Sequence, residues 1–162
     1  MNIQDQRHLD AAEGWLGLGD WLAANEELDR ISPHIRVHPE VLSIRWRVYS
    51  MAEKWELAFE VARSISEGVP KASFGYVHMA VALHKMNRTK EALELLLTVV
   101  DRFEVNYMMR YTLACYACRL GQLKKAWEWL TRAIDLDETR GLRKMALDDP
   151  ELEALWTQIS QI

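Results

Sequence analysis

One stretch decides the fold: residues 111–133 read YTLACYACRLGQLKKAWEWLTRA. Its Ala126 is the last of four alanines that recur every 34 residues, after Ala24, Ala58 and Ala92. Apolar residues also recur four and seven positions after each alanine and nine positions before it. A fixed period of this length is typical of a solenoid, in which one supersecondary unit stacks on copies of itself.

Each repeating unit has the pattern of two helices. Apolar residues recur at steps of three and four, and no segment alternates with the period of a strand. All four prolines fall between the periodic segments, where a missing N–H is tolerated. The sequence therefore predicts an all-α fold. The predicted helices cover about 5–17, 20–31, 39–52, 54–66, 73–85, 89–102, 107–119 and 122–136, followed by a shorter pair at about 142–147 and 150–159.

A tight turn is expected inside each pair. Gly19 and Gly121 stand at the same phase of the first and fourth units, and Asn87 stands there in the third. Glycine and asparagine adopt the left-handed conformation that ends a helix more readily than other residues. The second unit carries Glu53 and Lys54 at this point, which is a weaker turn signal.

A 34-residue helix–turn–helix unit with these anchors resembles the tetratricopeptide repeat. The repeats would cover about 5–38, 39–72, 73–106 and 107–140, and 141–162 would form a C-terminal cap. The resemblance implies a right-handed helix–turn–helix solenoid that forms a single domain over residues 1–162. Capping side chains would cover the open end of repeat four: Leu152, Leu155, Trp156 and Ile159.

The second repeat departs from the pattern. It has Arg45 and Trp46 where the motif has leucine followed by a small residue. Either the helix is rotated so that Trp46 takes the apolar site, or Trp46 wedges the helix pair apart. Arg45 would then point toward the groove rather than toward the core.

In this family the first helices of the pairs line a concave groove in which partners lie. The resemblance implies a protein or peptide partner that contacts eleven groove-facing residues: Glu13, Arg47, Phe74, Val77, His78, Val81, His84, Met108, Tyr111, Cys115 and Arg119. Leu9, Glu40, Ser43 and Cys118 belong to the same face. Acids in its first half and apolar residues in its second half suit an extended or helical peptide with apolar anchors. Alternatively, Phe74, Val77 and Val81 pack between repeats and leave little groove.

The pair Cys115 and Cys118 suggests a second function, as a metal or redox site. Redox pairs lie at a helix N-terminus, whereas this pair falls near the predicted C-terminal end of its helix. Zinc would need two more ligands, for which His78 and His84 are the candidates. Buried thiols that act as small apolar groups are the commoner case. We therefore expect neither a metal nor a cofactor.

Composition narrows the function classes. A net charge of −4 argues against nucleic acid as the main ligand, and no apolar run approaches the ~18 residues of a membrane span. The first residues lack a secretory signal, and two cysteines are too few for a disulfide framework, which favours a cytoplasmic location. No catalytic motif occurs. The chain resembles bacterial tetratricopeptide proteins of unassigned function, which implies a non-enzymatic interaction module, as a monomer or weak homo-oligomer.

Overall fold

The computed structural model describes residues 1–162, and every regular element in it is helical. The predicted all-α fold is confirmed, and the predicted helix ends agree with the structure to within a few residues. The helices are α1 Ile3–Gly17, α2 Trp21–Arg30, α3 Pro39–Met51, α4 Trp55–Gly68, α5 Ser73–Lys85, α6 Thr89–Val99, α7 Tyr107–Arg119, α8 Leu123–Leu136, α9 Leu142–Asp148 and α10 Trp156–Ile159. Short 3₁₀ helices cover Val100–Arg102 and Pro150–Leu155. None of the helices combines the length and apolar composition that a membrane-spanning segment requires.

The chain divides into two compact units, residues 1–82 and 83–162. The first unit contains α1 to α4 and most of α5, and the second contains the end of α5 and all later helices. The prediction of one domain over residues 1–162 stays a prediction.

The turns that follow α1, α3, α5 and α7 are built in the same way. Each contains one residue in the left-handed conformation, and these residues are 34 positions apart: Gly19 (φ 81°), Glu53 (φ 55°), Asn87 (φ 61°) and Gly121 (φ 73°). The backbone N–H of the next residue donates to the carbonyl five positions earlier, over 2.8–2.9 Å. This bond satisfies a carbonyl at the end of the helix. The turn at Glu53 is therefore as regular as the turns at the two glycines.

The repeating alanines lie in the core of the two units. Ala24, Ala58, Ala92 and Ala126 are all fully buried. So are the residues four positions later, Leu28, Ala62, Leu96 and Leu130. The 34-residue register therefore corresponds to the buried stripe of the second helix in each repeat.

Trp46 takes an apolar site in the first unit, and the rotation of its helix stays a prediction. Its side chain is only 9% exposed and packs in a cluster with Ala58, Ala62 and Ala82. The indole meets the His78 ring edge-on, with 4.0 Å between the ring centroids. The three alanines leave the space that the indole fills.

Arg45 does not point toward the groove, so that prediction is wrong. Its guanidinium donates to the side chains of Asn25 and Asp29 on α2, each over 2.8 Å. The Arg45 side chain is only 12% exposed. These charge-assisted hydrogen bonds to α2 hold the guanidinium.

The start of α5 approaches the end of α4 very closely. A Cβ added at Gly75 would lie 2.6 Å from the backbone nitrogen of Ser66. No real side chain fits at that distance, so this helix contact requires glycine.

In the second unit α7 is the central helix. Nine of its thirteen residues are buried, because α6, α8 and the 3₁₀ helix Pro150–Leu155 pack around it. Leu152, Leu155 and Ile159 are at most 1% exposed, and the Trp156 indole donates to the carbonyl of Ala146 over 3.1 Å. The C-terminal residues therefore cover the rest of the second unit, as expected of a cap. They form three short elements, which are α9, the 3₁₀ helix Pro150–Leu155 and α10.

Candidate functional site

An open groove lies in the first unit between α1, α3 and the ends of α4 and α5. Its volume is about 520 Å³. The lining residues are Gln6, Leu9, Asp10, Glu13, Pro39, Glu40, Ser43, Ile44, Ile65, Val69, Ala72 and Phe74. Glu13 and Phe74 belong to the predicted partner-binding set. Leu9, Glu40 and Ser43 were predicted on the same face.

The groove combines an apolar floor with an acidic rim. Leu9, Ile44 and Ile65 are each about 5% exposed and form the floor, whereas the carboxylates of Asp10, Glu13 and Glu40 are exposed beside them. Of the residues predicted to face the groove, Arg47 is the one cation that approaches this rim. Its guanidinium lies 3.5 Å from a Glu13 carboxylate oxygen. The rim therefore stays net negative.

Phe74 is held at the groove wall by the two aromatic rings behind it. Its ring stacks on His78, with 3.8 Å between the centroids, and His78 in turn meets Trp46. Nδ1 of His78 donates to the backbone carbonyl of Phe74 over 2.8 Å. Burial lowers the pKa of His78, and the hydrogen bond offsets only part of this effect. His78 therefore supports Phe74 as a neutral imidazole.

Val77 and Val81 are partly buried and do not line the groove. Val81 packs against the cluster that surrounds Trp46. For this valine the alternative of packing within the core therefore holds.

In the second unit three predicted residues meet the chain's own C-terminal residues. The Tyr111 hydroxyl donates to Oδ2 of Asp149 over 2.6 Å, and the Cys115 Sγ lies 3.7 Å from the same oxygen. Nε2 of His84 lies 3.7 Å from Oε1 of Glu151. The face that was predicted to bind a partner is therefore filled here by residues 149–151.

The other two predicted residues of the second unit are open to solvent. Met108 is 42% exposed, and Arg119 is exposed at the end of α7. Neither meets the C-terminal residues through a polar contact comparable to that of Tyr111.

The cysteines are poor candidates for metal or redox chemistry. Cys115 and Cys118 are both buried and free, and burial raises the pKa of each thiol, as do the carboxylates of Asp149 and Glu151. A thiol must lose its proton to act as a nucleophile or to bind a metal. No group of three or more His, Cys, Asp or Glu side chains lies close enough together to hold a metal ion.

Sequence reasoning missed two parts of these surfaces. Ile65, near the end of α4, belongs to the groove floor, and Val69, just after α4, also lines the groove, although the repeat pattern predicts for Ile65 only a buried position in the second helix. The sequence Asp149-Pro150-Glu151 is typical of a helix start and predicts that Asp149 caps a helix. Asp149 does so by accepting from the N–H of Glu151 over 2.9 Å, but its second oxygen binds Tyr111.

Comparison with known proteins identifies the fold. MamA 41-end from Desulfovibrio magneticus RS-1 is 20% identical, with a TM-score of 0.73 over 99% of this chain and 96% of that chain. A MamA RS-1 ArsTM double mutant is 17% identical, with a TM-score of 0.71 over 84% of this chain and 76% of that one. YrrB, described as a TPR protein with an unusual peptide-binding site, is 14% identical, with a TM-score of 0.63 over 96% of this chain and 91% of that one.

No family model matches the sequence, and no curated protein matches it significantly. The structural likeness agrees with the helix pairs, with the turns spaced 34 residues apart and with the buried alanines. The resemblance that the sequence carries is thereby confirmed, and the chain has the fold of the tetratricopeptide-repeat proteins.

Proposed function

We propose that the chain is a non-enzymatic interaction module that binds a partner peptide or helix in the groove of its first unit. The observation that carries the proposal is the open groove of about 520 Å³ with an apolar floor and an acidic rim. Its volume falls in the range of about 300–1,000 Å³ that is usual for ligand pockets.

The groove favours a partner of defined chemistry. Leu9, Ile44 and Ile65 offer an apolar surface for one or two aliphatic or aromatic side chains of a partner. Glu13 and Glu40 lie beside that surface and would attract lysine or arginine. The partner is therefore a segment with an apolar anchor flanked by basic residues.

One further fact supports an interaction role. The structural relative YrrB is described as having a peptide-binding site. With both thiols unpaired, the chain suits the reducing conditions of a cytoplasm, where it would act as a monomer or weak homo-oligomer.

The test is capture from a lysate of the source organism by three immobilised proteins. They are the parent, the rim variant Glu13→Lys/Glu40→Lys, and the control Glu26→Lys/Glu104→Lys. The control makes the same change in net charge at exposed sites outside the groove. Circular dichroism melts of all three establish that each variant is folded.

We expect the parent and the control to capture the same protein, identified by mass spectrometry, and the rim variant to lose it. Capture should weaken as salt rises, since exposed charges are screened. Equal capture by the rim variant would refute this groove as the binding site.

A further inference from the structure

The C-terminal segment, residues 149–155, lies on α7 in the manner of a bound peptide. In the second unit, its first residue accepts the Tyr111 hydroxyl over 2.6 Å, and its third approaches His84. Tyr111 and His84 are positions that the repeat pattern assigns to a partner. The chain thus supplies its own occupant for this part of the face.

The contacts of the segment follow its helical form. A 3₁₀ helix has three residues per turn, so residues three apart share one face. Asp149, Leu152 and Leu155 have this spacing, and the two leucines are at most 1% exposed. The segment therefore presents one carboxylate and two leucines, on one face, toward the rest of the second unit.

Two features make the segment an imperfect occupant. Its 3₁₀ helix has six residues, whereas runs longer than three or four are uncommon because the hydrogen bonds are poorly aligned. Oε2 of Glu151 is buried without a hydrogen-bond partner, and its Oε1 is 3.7 Å from His84, beyond hydrogen-bond length. An unpaired buried carboxylate oxygen weakens the closed arrangement.

We propose that this face of α7 is a second binding site, which takes an acidic partner segment with the spacing Asp-x-x-Leu-x-x-Leu, and that residues 149–155 are its internal competitor. A partner segment must displace the C-terminal segment to bind, so the site is closed until such a partner is present. The proposal extends the interaction role to a second surface, which prefers an acidic partner segment, whereas the first groove prefers a basic one.

The probe is a fluorescein-labelled peptide with the sequence of residues 147–157, LDDPELEALWT. The protein is the full chain with Asp149→Cys and Cys118→Ser. The Sγ of Cys115 lies 3.7 Å from the Asp149 carboxylate, so a cysteine at 149 is in reach of a disulfide that oxidised glutathione can form. The control Asp148→Cys/Cys118→Ser places its cysteine at an exposed neighbouring position.

In the reduced variant the C-terminal segment has lost its bond to Tyr111, whereas the probe still carries its aspartate. We expect this variant to bind the probe at least about tenfold more tightly than the parent does, and oxidation to abolish binding. The control should behave like the parent in both states. A probe with alanine in place of Asp149 should bind about tenfold more weakly. Equal binding by the reduced, oxidised and parent proteins would overturn the proposal.

A measurement on the parent chain covers the case in which the variant does not fold. The N–H of Leu152 donates to the carbonyl of Asp149 over 3.0 Å, so its hydrogen exchange reports opening of the segment. We expect this amide to exchange at least about tenfold faster than that of Leu113 in α7. Equal rates would mean that the segment opens only when the whole unit unfolds, and the proposal would fail. The rim variant of the first groove should leave probe binding unchanged.

Discussion

Replacing Glu53 by glycine should stabilise the protein. Glu53 is exposed and has a φ of 55°, in the left-handed region that residues with a Cβ avoid. Gly19 and Gly121 occupy the same point of their repeats. The substitution therefore gives the second turn the residue type that two of the other turns already have.

The size of the effect follows from two opposing terms. The left-handed conformation costs a residue with a Cβ roughly 1–2 kcal/mol. Glycine loses about 0.5–1 kcal/mol more conformational free energy on folding than alanine does. The net gain for Glu53→Gly is about 0.5–1 kcal/mol, which raises the Tm by about 1–4 °C in a chain of this length.

Equilibrium urea unfolding, followed by circular dichroism, measures this gain. Glu53→Ala is the matched control, because it removes the same side chain but keeps the Cβ and its strain. Gly121→Ala is the reciprocal change. Its Cβ would meet nothing within 4 Å, so its cost of about 0.5–1 kcal/mol, from the same two opposing terms, comes from the backbone alone.

The reasoning is refuted if Glu53→Gly and Glu53→Ala have the same free energy of unfolding. It is also refuted if Gly121→Ala is as stable as the parent. In either case the left-handed turns would store no strain.

Three further predictions concern burial. Ala92→Glu should lower the free energy of unfolding by more than about 3 kcal/mol, because it buries an unpaired charge; a parent-like urea midpoint would contradict the repeat register. Burial lowers the pKa of His78 below its ordinary 6.5, so stability should be full above pH 6.5 and fall as the pH decreases below it. His78→Gln should reduce this pH dependence in urea midpoints, whereas the exposed-site control His34→Gln should not. Cys115 and Cys118 should resist iodoacetamide at pH 7.5 in the native protein and react only in urea, since burial raises both thiol pKa values; rapid native labelling, detected by mass spectrometry, would contradict this.

The repeat register could be predicted from the sequence because it is a local property repeated four times. Ala92 alone says little, but its recurrence at 34-residue steps identifies the buried stripe of a helix and the turn before it. The conformation of Glu53 could not be predicted from its own type, since glutamate rarely adopts positive φ. Only the spacing to Gly19 and Gly121 indicates it.

The direction of single side chains could not be predicted, because it depends on partners far away in sequence. Arg45 turns to Asn25 and Asp29 on α2, and nothing in its own helix specifies them. Tyr111 binds Asp149, 38 residues further along the chain. The repeat pattern identified the face on which Tyr111 lies, but it could not indicate that the chain itself covers that face.

The close approach at Gly75 has a consequence for selectivity. A methyl group at this position would lie 2.6 Å from the Ser66 backbone and would push the first turn of α5 away from α4. Phe74, the adjacent residue, would move with it and widen the groove of the first unit. Under the proposed function, the absence of a Cβ at Gly75 therefore limits the size of the anchor side chain that the groove admits, although Gly75 itself does not line the groove.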